Sequence, residues 1–576
     1  MISQNLDFGQ EPVDADYQVL IHAVSSCAGE SVQQLLRAKP KLVNQKGWHG
    51  QTPLHKACLS GDANTVRLLC EFGADPNIQN EFKETAVHYA AKRGIPTLVN
   101  ILKRYGGLLD VRDMTGKTPV HCAAQTGSVY MLQYFEEQGY NFKDVDGNGQ
   151  TPLHCACQFG HLEAFKFLVR KGRSDPSVQD AQGDTPLHIC VREGYAHGSW
   201  LLINFQGLAS LHVVNKQGLT PRDICQFYST SKKEGHRSLL LLMSELSKLP
   251  PNGKIGGPVM TWYYYLTMPF LAYAAALLLA LGPLHDYQGV VFAVTITFIV
   301  RTAMSTSHRI NHISRWANPF FAGTFCAGMF HTMLLFYCVI IHSMLDSPVI
   351  YVSFIMNVMQ LYLYYKLLKT DPGLVTSSIS NVETGRPMKL GDLCDQLKSL
   401  DQYCGDCEII HSKTTKHCKL CERCFYRMDH HCLFLLKCVA DQNHARFVWF
   451  IIFTMLDIVI FLLQCIWWTY LKYANMKYTE IFATMFWKDG WVLSMMFLNC
   501  FSVIWACSLL KYQLTVVSRG QTTYFARDMS TLTQTEKFVN LFNFLMGKPL
   551  FASDLELDIP YQHKSCDNHK TPIHSV

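Results

Sequence analysis

A short motif returns at a nearly constant interval through the amino-terminal half of the chain. The tetrapeptide Thr-Pro-Leu-His, or a close variant of it, starts at Thr52, Thr85, Thr118, Thr151 and Thr185. The successive intervals are 33, 33, 33 and 34 residues, and a degenerate copy begins at Thr220. A fixed period of this size predicts a stack of small structural units, in which each unit buries its apolar face against its neighbours.

This period together with this motif is typical of ankyrin repeats. A glycine stands two residues before most of the threonines, where it supplies a turn conformation that a side chain would oppose. The threonine can cap a helix, and the proline occupies a first-turn position where its missing N–H costs nothing. The motif histidines are expected to bond neighbouring turns and not to bind metal: His55, His88, His121, His154 and His188.

Beyond about residue 250 the chain changes character. Charged residues make up only 17% of the whole sequence, below the ~25% of an ordinary soluble domain. The deficit is concentrated in runs long enough to cross a hydrocarbon core, which needs about 20 apolar residues per helix. Five such runs are Val259–Gly282, Trp316–Leu345, Ser347–Tyr365, Phe447–Leu471 and Gly490–Leu510. A shorter run, Tyr287–Val300, is expected to extend past a snorkelling Arg301. Together they predict a six-helix transmembrane bundle, with a re-entrant hairpin as the alternative for the short second run.

The distribution of positive charge predicts the orientation of these spans. Arg301, Arg309 and Arg315 crowd the second connection, which the positive-inside rule places in the cytosol. The amino terminus, the insert between the fourth and fifth spans, and the carboxy terminus are then cytosolic too. The connection Lys472–Lys488 carries three lysines on the opposite side and argues mildly against this. A net charge of +6 gives no support to nucleic-acid binding.

The charged insert between the fourth and fifth spans concentrates metal-binding side chains. Leaving aside His411, ten candidates fall within 35 residues: Cys404, Cys407, His417, Cys418, Cys421, Cys424, His430, His431, Cys432 and Cys438. Zinc is held by four thiolate or imidazole ligands, and Cys-x2-Cys pairs place two thiolates on one turn. Two closed sites need eight ligands. The two groups left over, a cysteine beside a histidine, are what thiol chemistry requires.

At this point the sequence resembles a known family. The run Asp429-His430-His431-Cys432 in a cysteine-rich insert, flanked by transmembrane spans, is similar to the DHHC protein S-acyltransferases, or palmitoyltransferases. Ankyrin repeats followed by six spans resemble the huntingtin-interacting subfamily. The family's Asp-Pro-Gly falls on Asp371-Pro372-Gly373, and its Asn and Phe after the last cysteine fall on Asn443 and Phe447.

The resemblance implies a partition of the ten side chains. One structural Zn²⁺ would be held by Cys404, Cys407, His417 and Cys424. The other would be held by Cys418, Cys421, His431 and Cys438. Cys432 would be the nucleophile, His430 its base, and Asp429 the group that orients the imidazole. This partition agrees with chemistry, because a zinc-bound thiolate is passivated and the nucleophile should be the cysteine outside both sites.

The family further implies the reaction and its setting. A long-chain acyl group, expected to be palmitoyl, would pass from acyl-CoA to Cys432 and then to cysteines of protein substrates. The ankyrin repeats would recruit those substrates, the bilayer would receive the acyl chain, and the compartment expected by resemblance is the Golgi membrane. No nucleic-acid partner is implied.

The sequence departs from the family pattern at three places. The usual Pro-Trp after the catalytic cysteine is Leu433-Phe434. The usual Thr-Thr-x-Glu after the last span is Thr522-Thr523-Tyr524-Phe525, which keeps the threonines and lacks the acid. The basic residues that normally precede the His-Cys pair are reduced to Lys413 and Lys416.

Three other functions are compatible with parts of this pattern. A membrane-anchored scaffold or adaptor of low or no activity would use the ankyrin repeats and the zinc insert without turnover. A cation channel would share the ankyrin repeats and six spans, but the lysines of Lys472–Lys488 are poor lining for a cation pore. A RING-like ubiquitin ligase would use alternating ligand pairs, yet would leave the surplus cysteine unexplained.

The predicted fold class is mainly α, an ankyrin solenoid followed by a six-helix transmembrane bundle that carries a small two-zinc cysteine-rich cytosolic domain. The predicted segments are a flexible N-terminus at 1–16, about six to seven ankyrin repeats at 17–248, transmembrane helices 1–4 at 259–367, the zinc-binding domain at 368–446, transmembrane helices 5–6 at 447–510, and a cytosolic C-terminal region at 511–576.

Overall fold

The computed structural model describes residues 15–228, 234–246, 260–305, 317–345, 347–380, 385–395, 400–525 and 532–548. Most of the predicted flexible N-terminus, the last part of the predicted C-terminal region, and the charges Arg309 and Arg315 lie outside these residues. The chain forms two compact units. The first comprises 1–256, 377–411 and 558–576, and the second comprises 257–376 and 412–557.

The first unit contains seven consecutive helix pairs, which confirms the predicted repeat stack. Its helices are α1 Ala15–Ser25, α2 Gly29–Ala38, α3 Pro53–Ser60, α4 Ala63–Glu71, α5 Ala86–Arg93, α6 Pro96–Arg104, α7 Pro119–Thr126, α8 Val129–Glu137, α9 Pro152–Phe159, α10 Leu162–Val169, α11 Pro186–Arg192, α12 Ala196–Gln206, α13 Pro221–Tyr228 and α14 Glu234–Leu246. Short 3-10 turns follow at Pro40–Asn44, Trp48–Gly50, Arg170–Gly172 and Leu208–His212. Each T-P-L-H motif sits at the start of the first helix of a pair, as its capping chemistry predicts.

The motif histidines join each repeat to the next. In the repeat that begins at Thr118, Nδ1 of His121 accepts the Thr118 backbone N–H, at 3.3 Å. Its Nε2 therefore carries the proton and donates to the Gln150 carbonyl of the next repeat, at 3.1 Å. Burial lowers the pKa of His121, so the imidazole is neutral. The same contacts recur at His55, His88, His154 and His188.

Replacing His121 with alanine should destabilise the repeat stack by about 2–4 kcal/mol, because it leaves a buried N–H and a buried carbonyl without partners and opens a cavity. The measurement is the midpoint of thermal unfolding of the purified protein. The control is His22→Ala, since His22 is exposed on α1. Equal midpoints for both variants would contradict a structural role for the motif histidine.

The second unit contains the apolar helices. They are α15 Met260–Leu281, α16 Gln288–Ser305, α17 Phe320–Leu335, α18 Val349–Lys369, α20 Asp441–Lys472, α21 Tyr478–Lys488 and α22 Gly490–Ser518, followed by α23 Gln534–Leu545. α19, Leu390–Asp395, belongs to the first unit. A 3-10 turn, His285–Tyr287, precedes α16, and α17 continues through a π turn, Phe336–Ile340, and a 3-10 turn, Ile341–Ser343.

Five helices of the described residues are long and apolar enough to cross a membrane: Met260–Leu281, His285–Ser305, Phe320–Ser343, Asp441–Lys472 and Gly490–Ser518. The prediction of six is therefore too high by this measure. The predicted fourth span forms α18, which has the length but is more polar. Its Ser353, Asn357 and Gln360 are buried, and the side chains of Ser353 and Gln360 hydrogen-bond to α20. The second predicted span is one continuous helix, not a re-entrant hairpin.

The cysteine-rich residues form three short antiparallel hairpins. In the first unit β1 Tyr403–Cys404, preceded by a 3-10 turn at Leu400–Gln402, pairs with β2 Ile409–Ile410. In the second unit β3 Thr415–Cys418 pairs with β4 Arg423–Tyr426, and β5 His430–Cys432 with β6 Lys437–Val439. The buried Asn443 ties β6 to α20, because its side chain accepts the Ala440 N–H at 2.8 Å and donates to the Cys438 carbonyl at 3.0 Å.

Candidate active site and metal centres

The strand geometry of β5 separates the predicted metal ligand from the predicted catalytic pair. Successive side chains of a strand point to opposite faces of the sheet. His430 and Cys432 therefore share one face, and His431 between them takes the other. Across the hairpin, His431 stands directly opposite Cys438. Three consecutive reactive residues are thus divided between two environments by the backbone alone.

The face of His431 meets three cysteines of the second predicted set. Nδ1 of His431 lies 3.3 Å from the Cys421 sulfur and 3.6 Å from the sulfurs of Cys418 and Cys438. The sulfurs of Cys421 and Cys438 are 3.5 Å apart, and neither cysteine forms a disulfide. Zn–S bonds of ~2.3 Å and Zn–N bonds of ~2.0 Å in a tetrahedron give edges of about 3.5–3.8 Å. The four donors therefore fit a zinc ion.

The first predicted set divides between the two units. In the first unit, the Cys407 backbone N–H donates to the Cys404 sulfur at 3.4 Å. In the second unit, His417 and Cys424 stand opposite each other on β3 and β4, with Nδ1 and Sγ 3.7 Å apart. In each unit, the two metal-binding side chains of this set lie next to each other. By donor chemistry, both predicted sets of four could hold a metal ion.

Asp429, His430 and Cys432 lie next to one another in the structure. Nδ1 of His430 lies 2.6 Å from Oδ2 of Asp429, a carboxylate that can only accept, so Nδ1 carries a proton. Cys432 lies on the same face of β5 as His430. Burial lowers the pKa of His430, but the bond to Asp429 and the neighbouring Cys432 raise it to about 9. A basic imidazole of this kind favours proton transfer from the thiol.

Asp429 is fully buried and is held by Thr523, one of the two threonines expected to support it, and by Gln513 and His444, which the sequence did not single out. Its Oδ1 accepts the Thr523 backbone N–H at 2.6 Å, and its Oδ2 accepts Nε2 of Gln513 at 2.9 Å. Oε1 of Gln513 in turn lies 2.7 Å from Nε2 of His444, which must donate. Burial raises the pKa of Asp429, but the bond from His430 and the nearby His444 hold the pKa well below its usual range.

Thr522 and Thr523, the two threonines that this chain shares with the family motif, make different contacts. The Thr522 hydroxyl donates to the Met428 carbonyl at 3.0 Å, directly before Asp429. Thr523 touches Asp429 through its backbone N–H, and its hydroxyl accepts from Gln513 at 3.3 Å. Gln513 lies beyond the predicted last span, Gly490–Leu510, and after Lys511, so no signal in the sequence marks it. His444 carries no signal either, because it lies in a polar stretch.

Cys432 opens into an apolar cavity of about 280 Å³. Its lining combines aliphatic side chains with the aromatic rings of Phe325, Phe434, Phe447, Phe450 and Trp505. Phe434, which stands where the family has Trp, packs against Trp505 with ring centroids 5.2 Å apart and against Phe325 at 6.1 Å. The cavity can bind a hydrocarbon chain beside a thiol.

Comparisons with known proteins match two separate parts of the chain. Residues 397–528 match the family model described as DHHC palmitoyltransferase. Residues 20–208 match, in overlapping segments, the model of ankyrin repeats in three copies.

Similar curated proteins carry names of the same kind. Probable protein S-acyltransferase 12 of Arabidopsis thaliana is 32% identical over 131 residues, 21% of this chain and 43% of that protein. Palmitoyltransferase ZDHHC13 of Homo sapiens is 24% identical over 368 residues, 60% of this chain and 55% of that protein. Palmitoyltransferase ZDHHC17 of Danio rerio is 29% identical over 175 residues, 29% and 27% respectively. The matches span about half or less of the length of these relatives.

Proposed function

We propose that this chain, which carries a DHHC palmitoyltransferase domain and ankyrin repeats, is a membrane-bound protein S-acyltransferase. One observation carries the proposal. The strand that supplies His431 to a metal set presents Cys432 and His430 together to an apolar cavity on its other face. A nucleophile, its base and a hydrocarbon site are thereby placed in contact, as acyl transfer requires.

In the first step the Cys432 sulfur attacks the carbonyl carbon of a long-chain acyl-CoA, for which palmitoyl-CoA is the proposed donor. His430 takes the thiol proton through its second ring nitrogen, and Asp429 stabilises the imidazolium that forms. A new S–C bond replaces the bond to CoA sulfur. CoA leaves as its thiol after receiving the proton from His430.

In the second step a cysteine thiol of a protein substrate attacks the acyl-Cys432 thioester. His430 again accepts the proton and returns it to the Cys432 sulfur as the acyl group leaves. Both steps exchange one thioester for another, so little net driving force is available. Catalysis then depends on positioning the two sulfurs and the carbonyl, which the buried Asp429 network favours.

The two proposed zinc ions would be structural. Cys404, Cys407, His417 and Cys424 would hold one, and Cys418, Cys421, His431 and Cys438 the other. Bound metal would supply folding free energy to a module of short hairpins with a small apolar core. It would also keep all ligating thiolates unreactive, which leaves Cys432 as the free sulfur of the module.

The proposed setting follows from the membrane helices and the repeats. The cysteine-rich domain and both termini would face the cytosol, and the Golgi membrane is the proposed compartment. Ankyrin repeats bind proteins through their helices and hairpin tips. We propose that protein substrates, membrane-bound or cytosolic, are recruited there before transfer from Cys432.

The test is labelling of the purified protein with an alkyne analogue of palmitoyl-CoA, followed by addition of a cysteine-containing acceptor protein. The wild type should form a hydroxylamine-sensitive acyl-enzyme and pass the label to the acceptor. Cys432→Ser should lose both signals while its zinc content stays unchanged. Cys507→Ser, which removes an exposed cysteine of α22, is the matched control. Labelling that persists in Cys432→Ser would contradict the assignment, and a folded wild type without labelling would favour the scaffold.

The Gln513 amide gives a separate prediction. Gln513→Leu should slow acyl-enzyme formation by about 10- to 100-fold, because Asp429 loses a hydrogen bond and His444 loses its acceptor. Zinc content should not change. The control is Gln464→Leu, which removes another buried amide of an apolar helix whose partner is Ser353. Equal rates in wild type and Gln513→Leu would show that the backbone N–H of Thr523 suffices to hold Asp429.

A further inference from the structure

The first unit contains a segment that is distant from the repeats in sequence. We name it the arm: the described residues of 377–411. Its helix α19 packs against α6 and α8 of the repeats. The Glu137 carboxylate accepts the backbone N–H groups of Leu390 and Gly391, at 2.9 and 3.0 Å. At its other end α19 is held through Asp395, which accepts from Asn100 at 2.6 Å and from Arg104.

A second contact between the repeats and the arm is made by one buried arginine. Nη1 and Nη2 of Arg173 each donate to a carboxylate oxygen of Glu408, at 2.6 Å. Nε and Nη2 donate to Glu136 of α8, at 2.7 and 2.8 Å, and Nη1 also donates to the Phe167 carbonyl at 2.9 Å. All five N–H donors of the guanidinium are therefore used. The Arg173 side chain is 5% exposed and that of Glu408 is 9% exposed.

Glu408 directly follows Cys407, and the rest of that loop also touches the repeats. A side chain in place of the Gly405 hydrogen would meet Val129 of α8 at 3.0 Å. The Asp406 carbonyl accepts from Arg170. The Tyr403 ring packs edge-on against Tyr130, with centroids 5.6 Å apart. The turn from Cys404 to Cys407 is thus enclosed by side chains of the repeats.

The second Cys-x2-Cys turn serves as an internal comparison. Cys421 donates its N–H to the Cys418 sulfur at 3.4 Å, the same distance as in the Cys404–Cys407 turn. The residue after it, Glu422, has φ 53° against 56° for Glu408. Yet Glu422 is exposed. The local backbone therefore does not require burial of this glutamate, and the burial of Glu408 results from Arg173 and its surroundings.

We infer that the ankyrin repeats clamp the Cys404–Cys407 turn, and that Arg173 is the positioning residue of the clamp. The surface formed by α6, α8 and the loop after α10 is accordingly a binding site for this chain's own acidic arm. The expected effect of this contact on zinc binding rests on the proposed role of Cys404 and Cys407 as zinc ligands. Retention of one zinc ion would then depend on a surface that provides none of its ligands.

The test compares glutamates that occupy the same position in the two turns. Glu408→Ala should accelerate the loss of one of the two zinc ions to a chromogenic chelator by roughly tenfold or more, as expected when charge-assisted bonds are removed. Glu422→Ala should leave both release rates unchanged. Arg173→Met should also accelerate this loss, although Glu408 keeps its ion pair with Lys171 in that variant. The effect of the double variant should be smaller than the sum of the single effects, because both substitutions remove the Arg173–Glu408 bonds.

Hydrogen exchange of the arm provides a readout that does not involve metal. Glu408→Ala should raise exchange at the amides of Leu390 and Gly391 and of the Cys404–Cys407 turn, with or without chelator. Raised exchange in a protein that holds no zinc would contradict the proposed metal sites and leave the clamp intact. Unchanged zinc release together with unchanged exchange in Glu408→Ala would overturn the clamp.

Discussion

Asp429→Asn is expected to lower the rate of acyl-enzyme formation by about three to four orders of magnitude, as when a buried carboxylate of a nucleophile–His–Asp series is made neutral. Both Asp429 oxygens accept hydrogen bonds in the structure, from His430 and Gln513 at one and from Thr523 at the other. An asparagine amide must turn its NH₂ toward one of these donors. The imidazole then loses its acceptor or its orientation.

The measurement is the single-turnover rate of labelling with a fluorescent acyl-CoA. The control is Asp286→Asn, because the Asp286 side chain is 86% exposed. The zinc content of Asp429→Asn should remain that of the wild type, which separates a catalytic defect from unfolding. A rate within tenfold of the wild type would show that His430 does not depend on this carboxylate.

Cys421→Ser is expected to remove one zinc ion per chain and to abolish acylation. Cys421 contacts both His431 and Cys438, so it is central to the second set. A structural zinc site contributes on the order of 10 kcal/mol to folding in small peptides. Since Cys432 lies on the same strand as His431, loss of the metal also displaces the nucleophile.

The measurement is elemental analysis of the purified protein together with its labelling by acyl-CoA. Cys432→Ser is the control for metal content, since it alters a cysteine outside both proposed ligand sets and should keep both ions. A Cys421→Ser protein that retains two zinc ions, or that retains labelling, would contradict this ligand set.

Features that depend on local chemistry could be predicted from the sequence. The repeat helices begin at the Thr-Pro pairs because capping and a fixed proline φ act over a few residues. The separate roles of Asp429, His430, His431 and Cys432 were implied by the family resemblance. The alternation of side chains along β5 explains physically why His431 is separated from His430 and Cys432. Six spans were predicted from nearly uncharged runs, whereas five helices of the described residues are apolar enough, because polar residues of α18, such as Gln360, lower its hydropathy and are buried against α20.

Features that depend on long-range contacts could not be predicted. Gln513 and Asp429 are separated by 84 positions, and Arg173 and Glu408 by 235. Nothing in the neighbourhood of Arg173 distinguishes it from the other basic residues after α10. Its role becomes visible only when two glutamates and a carbonyl converge on its five donors.

The discontinuity of the first unit has a consequence for synthesis. Residues 257–376, which include membrane helices, separate the repeats from the arm. At ~5–20 residues per second, the ribosome needs on the order of ten seconds to complete that stretch. During that interval Arg173 and Glu136 exist without Glu408. The Cys404–Cys407 turn can therefore pack against the repeats only after the first membrane helices have been synthesised.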